Sequence, residues 1–314
     1  MQKRAHARLV ADFTTEIEPS EKYLAFGFGL AGEIVVASRR SEESPTVEKE
    51  HGIFPKSQLE GASDYRVLVK RDEQPLKRIV IRSERTPCSF VQHVPDGLLM
   101  VGARCAWRVS GPEQNAVVFD ESGKVVRRFT LGDGINDVRT DSKGSIWVSY
   151  FDEGVFGNRG WNSPGPEPIG ASGLVAFDSS GQRIFSFDAE AAETDIICDA
   201  YATNLVGDDD VWVYFYTEFP IVRIHNGRYQ RWSYGEAGAN AVAVREDRVA
   251  LFGDYKKRNR LRILALGRDG KAKRVGDLTV AAEKHDLEKD TYAFGVGGTL
   301  YCVNNRRVFA LSDW

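Results

Sequence analysis

Ile135-Asn136-Asp137-Val138-Arg139-Thr140-Asp141-Ser142-Lys143-Gly144-Ser145-Ile146-Trp147-Val148, followed by Gly173-Leu174-Val175-Ala176-Phe177-Asp178-Ser179-Ser180-Gly181-Gln182-Arg183-Ile184-Phe185-Ser186-Phe187, is the stretch that decides the fold. Each half alternates large apolar with polar residues around an Asp-x-x-Gly turn, the period-two signature of an antiparallel hairpin. Two hairpins in succession make a four-stranded antiparallel unit.

Working outward, the second strand of the unit recurs at residues 33–36, 98–101, 145–148, 210–213, 248–251 and 299–302. The copies lie about 40 to 65 residues apart, the spacing of propeller blades with insertions in the longer intervals. The outer strands recur at residues 64–69, 115–120, 173–187, 221–224, 261–266 and 307–311, most of them followed by a turn such as Glu121-Ser122-Gly123 or Arg268-Asp269-Gly270. The reading is an all-β chain, a six-bladed β-propeller of four-stranded antiparallel blades forming a single domain over 1–314. The last copy lacks its fourth strand. An N-terminal strand within 4–17, where Ala5, Ala7, Leu9, Ala11 and Phe13 alternate with polar residues, is expected to complete it. Such closure removes free sheet edges.

With 314 residues, 42% hydrophobic and 11% aromatic, the chain can bury a large core. Its net charge of −3, with both signs interspersed, excludes the electrostatic footprint of a nucleic-acid or anionic-membrane binder. The first eight residues carry no apolar run of signal-peptide type, and the expected setting is cytoplasmic, the expected state a monomer. Cys88, Cys105, Cys198 and Cys302 are far apart and read as reduced core thiols. Two insertions stand out: 38–63, which reads as a long polar loop on one face, and a Pro- and Trp-bearing loop at 154–172. Residues 188–195 and 281–287 are the segments that could form a turn or two of helix. Lys256-Lys257-Arg258-Asn259-Arg260 and Asp208-Asp209-Asp210 read as solvated turns.

The stretch from Asn136 to Trp147 resembles the third-blade motif of the SMP-30/gluconolactonase/LRE-like family, calcium-binding six-bladed propellers that hydrolyse lactones. The shared stretch is about a dozen residues, and much of it is blade grammar common to NHL-type and lyase-type propellers. The resemblance implies that Asn136 faces a central channel as a ligand to calcium or another divalent cation. A first-blade carboxylate would be Glu21 or Glu18, although Glu18-Pro19-Ser20-Glu21 replaces the family's Glu-Gly-Pro. The fourth blade brings Tyr201 to the equivalent register with Asp199 just before it, and the fifth offers Ala239-Asn240-Ala241 where the family has Pro-Asp-Gly. The implied metal set is therefore Asn136, Asp199, Asn240 and Glu21, with Asp137 and Asp199 as catalytic carboxylates. Asn in place of the fifth-blade Asp removes a base and one unit of charge from a site that needs both.

Each of these residues also has a structural reading. Asp137, Asp199 and Asn240 can satisfy strand-end backbone groups. His93, in an innermost strand, is either a proton shuttle and ligand contact or a satisfied core histidine. Trp161 either covers one mouth of the channel or packs on its own blade. Gly27-Phe28-Gly29-Leu30-Ala31-Gly32 mimics a dinucleotide fingerprint, but the repeat demands a strand there. Two functions stand. The first is a binding protein that takes a small molecule or protein partner at the channel mouth, using Asn136, His93, Tyr201, Trp161 and Asn240. The alternative is a divalent-metal-dependent, lactonase-like hydrolase.

Overall fold

A computed structural model describes residues 3–21, 23–40, 43–49, 52–71, 73–283, 285, 287 and 291–314. The chain forms two compact units: an amino-terminal unit of residues 19–187, and a carboxy-terminal unit of residues 188–314 joined by the N-terminal segment up to 18. The first strand, β1 (Arg4–Asp12), thus belongs to the carboxy-terminal unit.

The amino-terminal unit contains three four-stranded antiparallel sheets. The first is β2 (Tyr23–Phe28), β3 (Ile34–Arg39), β6 (Ser63–Lys70) and β7 (Lys77–Glu84), with a small hairpin of β4 (Thr46–Lys49) and β5 (Gly52–Pro55) inserted between its second and third strands. The second is β8 (Phe90–Val94), β9 (Gly97–Val101), β12 (Ala116–Phe119) and β13 (Val125–Phe129), with the two-residue strands β10 (Trp107–Arg108) and β11 (Gly111–Pro112) in its long connection. The third is β14 (Ile135–Thr140), β15 (Ile146–Tyr150), β16 (Leu174–Phe177) and β17 (Arg183–Ser186), interrupted by the short helix α1 (Asp152–Phe156).

In the carboxy-terminal unit, β18 (Asp199–Gly207), β19 (Asp210–Tyr216), β20 (Ile221–His225) and β21 (Arg228–Trp232) make another such sheet. An eight-stranded sheet then reads as two four-strand runs. One is β22 (Ala241–Arg245), β23 (Arg248–Phe252), β24 (Arg260–Leu266) and β25 (Ala272–Ala282); the other is β26 (Thr291–Val296), β27 (Thr299–Asn304) and β28 (Arg307–Leu311), completed by β1. The expected pairing of the N-terminal strand with the C-terminal one is present, antiparallel, with Leu9 opposite Phe309. β1 also pairs in parallel with β25, and this joins the two runs. A bulge between Leu9 and Ala11 breaks the alternation read from the sequence and leaves Leu9 exposed.

The strands are apolar on both faces because each inner sheet has a neighbour on either side. In the second sheet, Leu99, Val101, Ala116 and Val118 pack toward the third, while Leu98, Met100, Val117 and Phe119 pack toward the first. The carboxy-terminal unit repeats the arrangement around β22 to β24: Ala241, Ala243, Ala250 and Phe252 face one core, and Val242, Val244, Val249 and Leu251 the other. Burial on two faces explains why these strands read as nearly continuous apolar runs rather than clean alternation. The first strands of neighbouring sheets approach so closely that a methyl group on Gly27 would lie 1.7 Å from the Val91 carbonyl oxygen. Gly295 stands in the same relation to Val242.

The Asp-x-x-Gly turns do more than reverse the chain. Asp120 Oδ1 accepts the N–H groups of Ser122 and Lys124, and Asp178 Oδ1 those of Ser180 and Gln182. The turn so fixed is a packing surface: Gly123, at φ +81°, faces the Val80 carbonyl of the preceding sheet, with no room for a side chain.

Several expectations need correction. The 38–63 stretch is not an open loop, because Ser38 and Arg39 end β3, the β4–β5 hairpin fills its middle and Ser63 begins β6. Glu43 ties it together by accepting the N–H groups of Glu60 and Gly61 and pairing with Lys56 at 3.0 Å. Against the burial that would raise it, these bonds hold the Glu43 carboxyl at about 2. Residues 188–195 form turns without a helix, and Ala281 and Ala282 end β25; residues 284 and 286 of the other helical candidate lie outside the described residues. Neither charged turn is simply solvated. Asp210 accepts two hydrogen bonds from Arg223, at 2.8 and 2.6 Å, and Arg260 is gripped between Asp254 and Asp277. All four cysteines are free thiols, but only Cys105 and Cys302 are fully buried.

Candidate ligand-binding site

The residues that open the innermost strands differ in kind between the two units. In the amino-terminal unit they are buried or half-buried, and most are committed to protein partners. Glu21, just before β2, accepts the Ser38 hydroxyl at 3.1 Å and lies 3.5 Å from Arg66. Gln92 on β8 donates to the Val138 carbonyl at 2.8 Å. Asp137 on β14 is bonded by Arg139 Nε at 2.8 Å and by the Val138 N–H at 2.9 Å. Burial pushes the Asp137 carboxyl above its ordinary range, and the Arg139 guanidinium opposes that rise. Asn136 is half-buried and sits at a β-bulge between Ile135 and Asp137.

Trp161 is 4% exposed, donates its indole N–H to the Cys105 carbonyl at 2.8 Å and packs on Trp107 with ring centres 5.3 Å apart. It acts here as the anchor of its own loop rather than as an open contact. His93 on β8 is half-buried, with Nε2 2.5 Å from Arg71 Nη2. Burial first, and then the Arg71 charge, lower its pKa.

The carboxy-terminal unit opens its strands with the half-buried Asp199 and Tyr201 and the exposed Asn240. Tyr201 occupies a bulge on β18 between Ala200 and Ala202, and its hydroxyl is hydrogen-bonded to that of Tyr255 at 2.7 Å. Phe219 packs edge-on to Tyr201 with ring centres 5.2 Å apart, and Tyr214 and Tyr216 surround Phe219 at 5.4 and 5.7 Å. Five aromatic rings thus form one platform. The outer two remain open to solvent, Tyr255 at 71% and Tyr216 at 47% exposure, whereas Tyr214 is fully buried and donates its hydroxyl to the Glu236 carbonyl.

Asp199, opposite Tyr216 in the β18–β19 ladder, lies close enough for its charge to act on Tyr201. Burial is the larger cause of the raised Tyr201 pKa, followed by the Tyr255 hydrogen bond, so the phenol is neutral and able to donate. Asn240 is exposed, with its N–H on the Phe252 carbonyl at 2.8 Å and its side-chain oxygen against Gly253. Gly238, two residues earlier, abuts the Tyr255 ring. Tyr201, Asp199 and Asn240, named from the sequence, therefore share one corner of this unit with Tyr255, Tyr216, Phe219 and Tyr214, which sequence reasoning missed. A signal was there in Tyr214-Phe215-Tyr216-Thr217-Glu218-Phe219, whose aromatic density exceeds what a strand end needs.

Chemically, the platform offers ring surface for stacking, phenols that donate and accept, one amide and one carboxylate. Thiolate chemistry is disfavoured, because burial raises the pKa of all four cysteines. Among the described residues no group of three or more His, Cys, Asp or Glu side chains stands at metal-ligating distance. Of the implied metal set, Asn136 and Glu21 lie in the amino-terminal unit and Asp199 and Asn240 in the carboxy-terminal one. No helix among the described residues is long and apolar enough to cross a membrane.

No protein-family model and no curated protein matches the sequence. Among solved structures the chain is similar to virginiamycin B lyase from Staphylococcus aureus, at 10% identity and a TM-score of 0.48, over 98% of this chain and 99% of the other. It is similar to a putative gluconolactonase at 13% identity and a TM-score of 0.42, over 98% and 91% of the two chains. The WD40 beta propeller domain of Doa1 is similar at 8% identity and a TM-score of 0.45, over 99% and 98%.

Proposed function

We propose that this chain is a binding protein of the β-propeller kind, its six four-stranded runs serving as blades, and that it takes a small ligand on the tyrosine platform of the carboxy-terminal unit. The observation that carries this reading is the hydrogen-bonded Tyr201–Tyr255 pair, whose outer ring is left 71% exposed while the Asp199 charge acts on the inner one. Rigid amphipathic rings held in place by a hydroxyl bond present contact area at low entropic cost, which suits a ligand with one flat apolar face and a polar edge. Ligand-observed NMR with a panel of heterocycles and saccharides tests it. Binders are expected from the panel, and Tyr255→Ala and Asn240→Ala are each expected to weaken them about tenfold or more. Binding that survives both substitutions would move the site elsewhere.

The second reading, a metal-dependent lactonase-like hydrolase, draws on Asn136 at its bulge beside Asp137, whose carboxyl burial pushes up against the opposing Arg139 charge. Calorimetric titration with calcium, magnesium, manganese and zinc, repeated on Asn136→Ala and Asp199→Ala, separates the two. Saturable binding lost in both variants, with lactone turnover, would favour the hydrolase.

A further inference from the structure

Between the first two sheets of the amino-terminal unit lies a cleft of about 50 Å³, lined by Arg71, Lys77, His93, Gln74 and Glu121 over an apolar floor that includes Leu98. A single water needs about 10–15 Å³ on the same measure, so the cleft suits one small polyatomic ligand. Nitrogen-bearing side chains converge on it from the β6–β7 connection, β7 and β8.

The hydrogen bonding there is incomplete. Arg71 Nη2 lies 2.5 Å from His93 Nε2 and 3.7 Å from Glu33, beyond hydrogen-bond reach of that carboxylate. The Arg71 Nε atom is buried with no acceptor among the described residues, although the side chain as a whole is half-buried at 39% exposure. Buried donors of charged groups are nearly always satisfied, so an unmet one bordering a cavity points to a missing acceptor. Lys77 adds a second cation and is paired with Glu121, which also lines the cleft.

We propose that this cleft binds a small oxyanion of the phosphate, sulfate or carboxylate class, held by Arg71 and Lys77, with His93 becoming an additional donor once the anion takes over the Arg71 Nη2 bond that His93 Nε2 accepts. A guanidinium presents its donors as a planar fork that matches such oxygens. His93 faces Arg71, Lys77, Glu33 and Glu121. An anion placed among them favours the protonated imidazole, so binding takes up a proton and tightens as pH falls.

The test follows the His93 ring by NMR during titration with sulfate, acetate and inorganic phosphate. Sulfate and acetate keep a constant charge between about pH 6 and 8, so a tightening of up to about tenfold per pH unit reports on His93 itself. The expected result is saturable movement of the His93 signals, a raised His93 pKa in the complex, and affinity about tenfold or more weaker in Arg71→Ala. Lys77→Met, which leaves the Arg71–His93 contact in place, is expected to weaken binding while the thermal midpoint stays near that of the unmodified protein. Preference for acetate over the tetrahedral anions would assign the carboxylate source, and the reverse the phosphate or sulfate source. Unmoved His93 signals at tens of millimolar of all three, or an affinity unchanged in Arg71→Ala, would overturn the proposal. Tyr255→Ala leaves this binding untouched, so its outcome is separable from that of the platform.

Discussion

The two units are built from the same four-stranded repeat and each buries charge, Arg104 in one and Arg262 in the other, yet they differ in what their strand ends leave open. In the amino-terminal unit, charge at the strand ends is buried and paired. Arg104 forms a two-pronged bond with Asp133, at 2.9 and 2.8 Å, with Glu153 as a second carboxylate, and Glu113 receives the Ala106 N–H and Arg108. In the carboxy-terminal unit the corner around Tyr201 carries exposed phenols, and Tyr292 at the start of β26 is 69% exposed. Filled ends hold loops in place, whereas open ends of the same scaffold leave chemistry for a ligand. The contrast is why the platform, and not the buried ion pairs, is read as the binding site.

The largest effect is expected where the units are alike. Gly27→Val and Gly295→Val each force a side chain into a neighbouring backbone carbonyl and are expected to cost about 3 kcal/mol or more in urea unfolding. A mild effect at either position would mean that the inner strands of that unit are not so closely packed. Next comes Arg104→Ala, which strands Asp133 in a buried site and is expected to cost about 3–5 kcal/mol in the same measurement. A loss below about 1 kcal/mol would place this pair with ordinary surface bridges and weaken the contrast between units. The smallest effect is expected at the platform. Tyr201→Phe removes one partly exposed hydroxyl bond and should shift stability by about 1 kcal/mol or less. A large loss there would make the tyrosines a structural element after all.

Much of the fold was legible because burial on two faces leaves a strong imprint on a strand. All six second-strand copies, from Ile34-Val35-Val36 to Leu300-Tyr301-Cys302, coincide with β3, β9, β15, β19, β23 and β27. The 38–63 stretch was misread because its order comes from Glu43 reaching Glu60 and Gly61, a contact between residues far apart in sequence that has no local signature. The site was half legible. Asn136 and Tyr201 were located by register, and both prove to be bulge residues, which the period-two pattern cannot mark. Tyr255 was hidden inside a charged turn, since nothing in Asp254-Tyr255-Lys256 says that its hydroxyl meets Tyr201.

By itself the sequence determined the strands, their antiparallel order and the turns between them, because alternation, glycine and aspartate act within a few residues of one another. Only the tertiary structure decided which strand ends are filled by ion pairs and which present open rings. That choice depends on side chains brought together across many residues of chain, and on small register shifts at bulges that turn one residue out of the ladder.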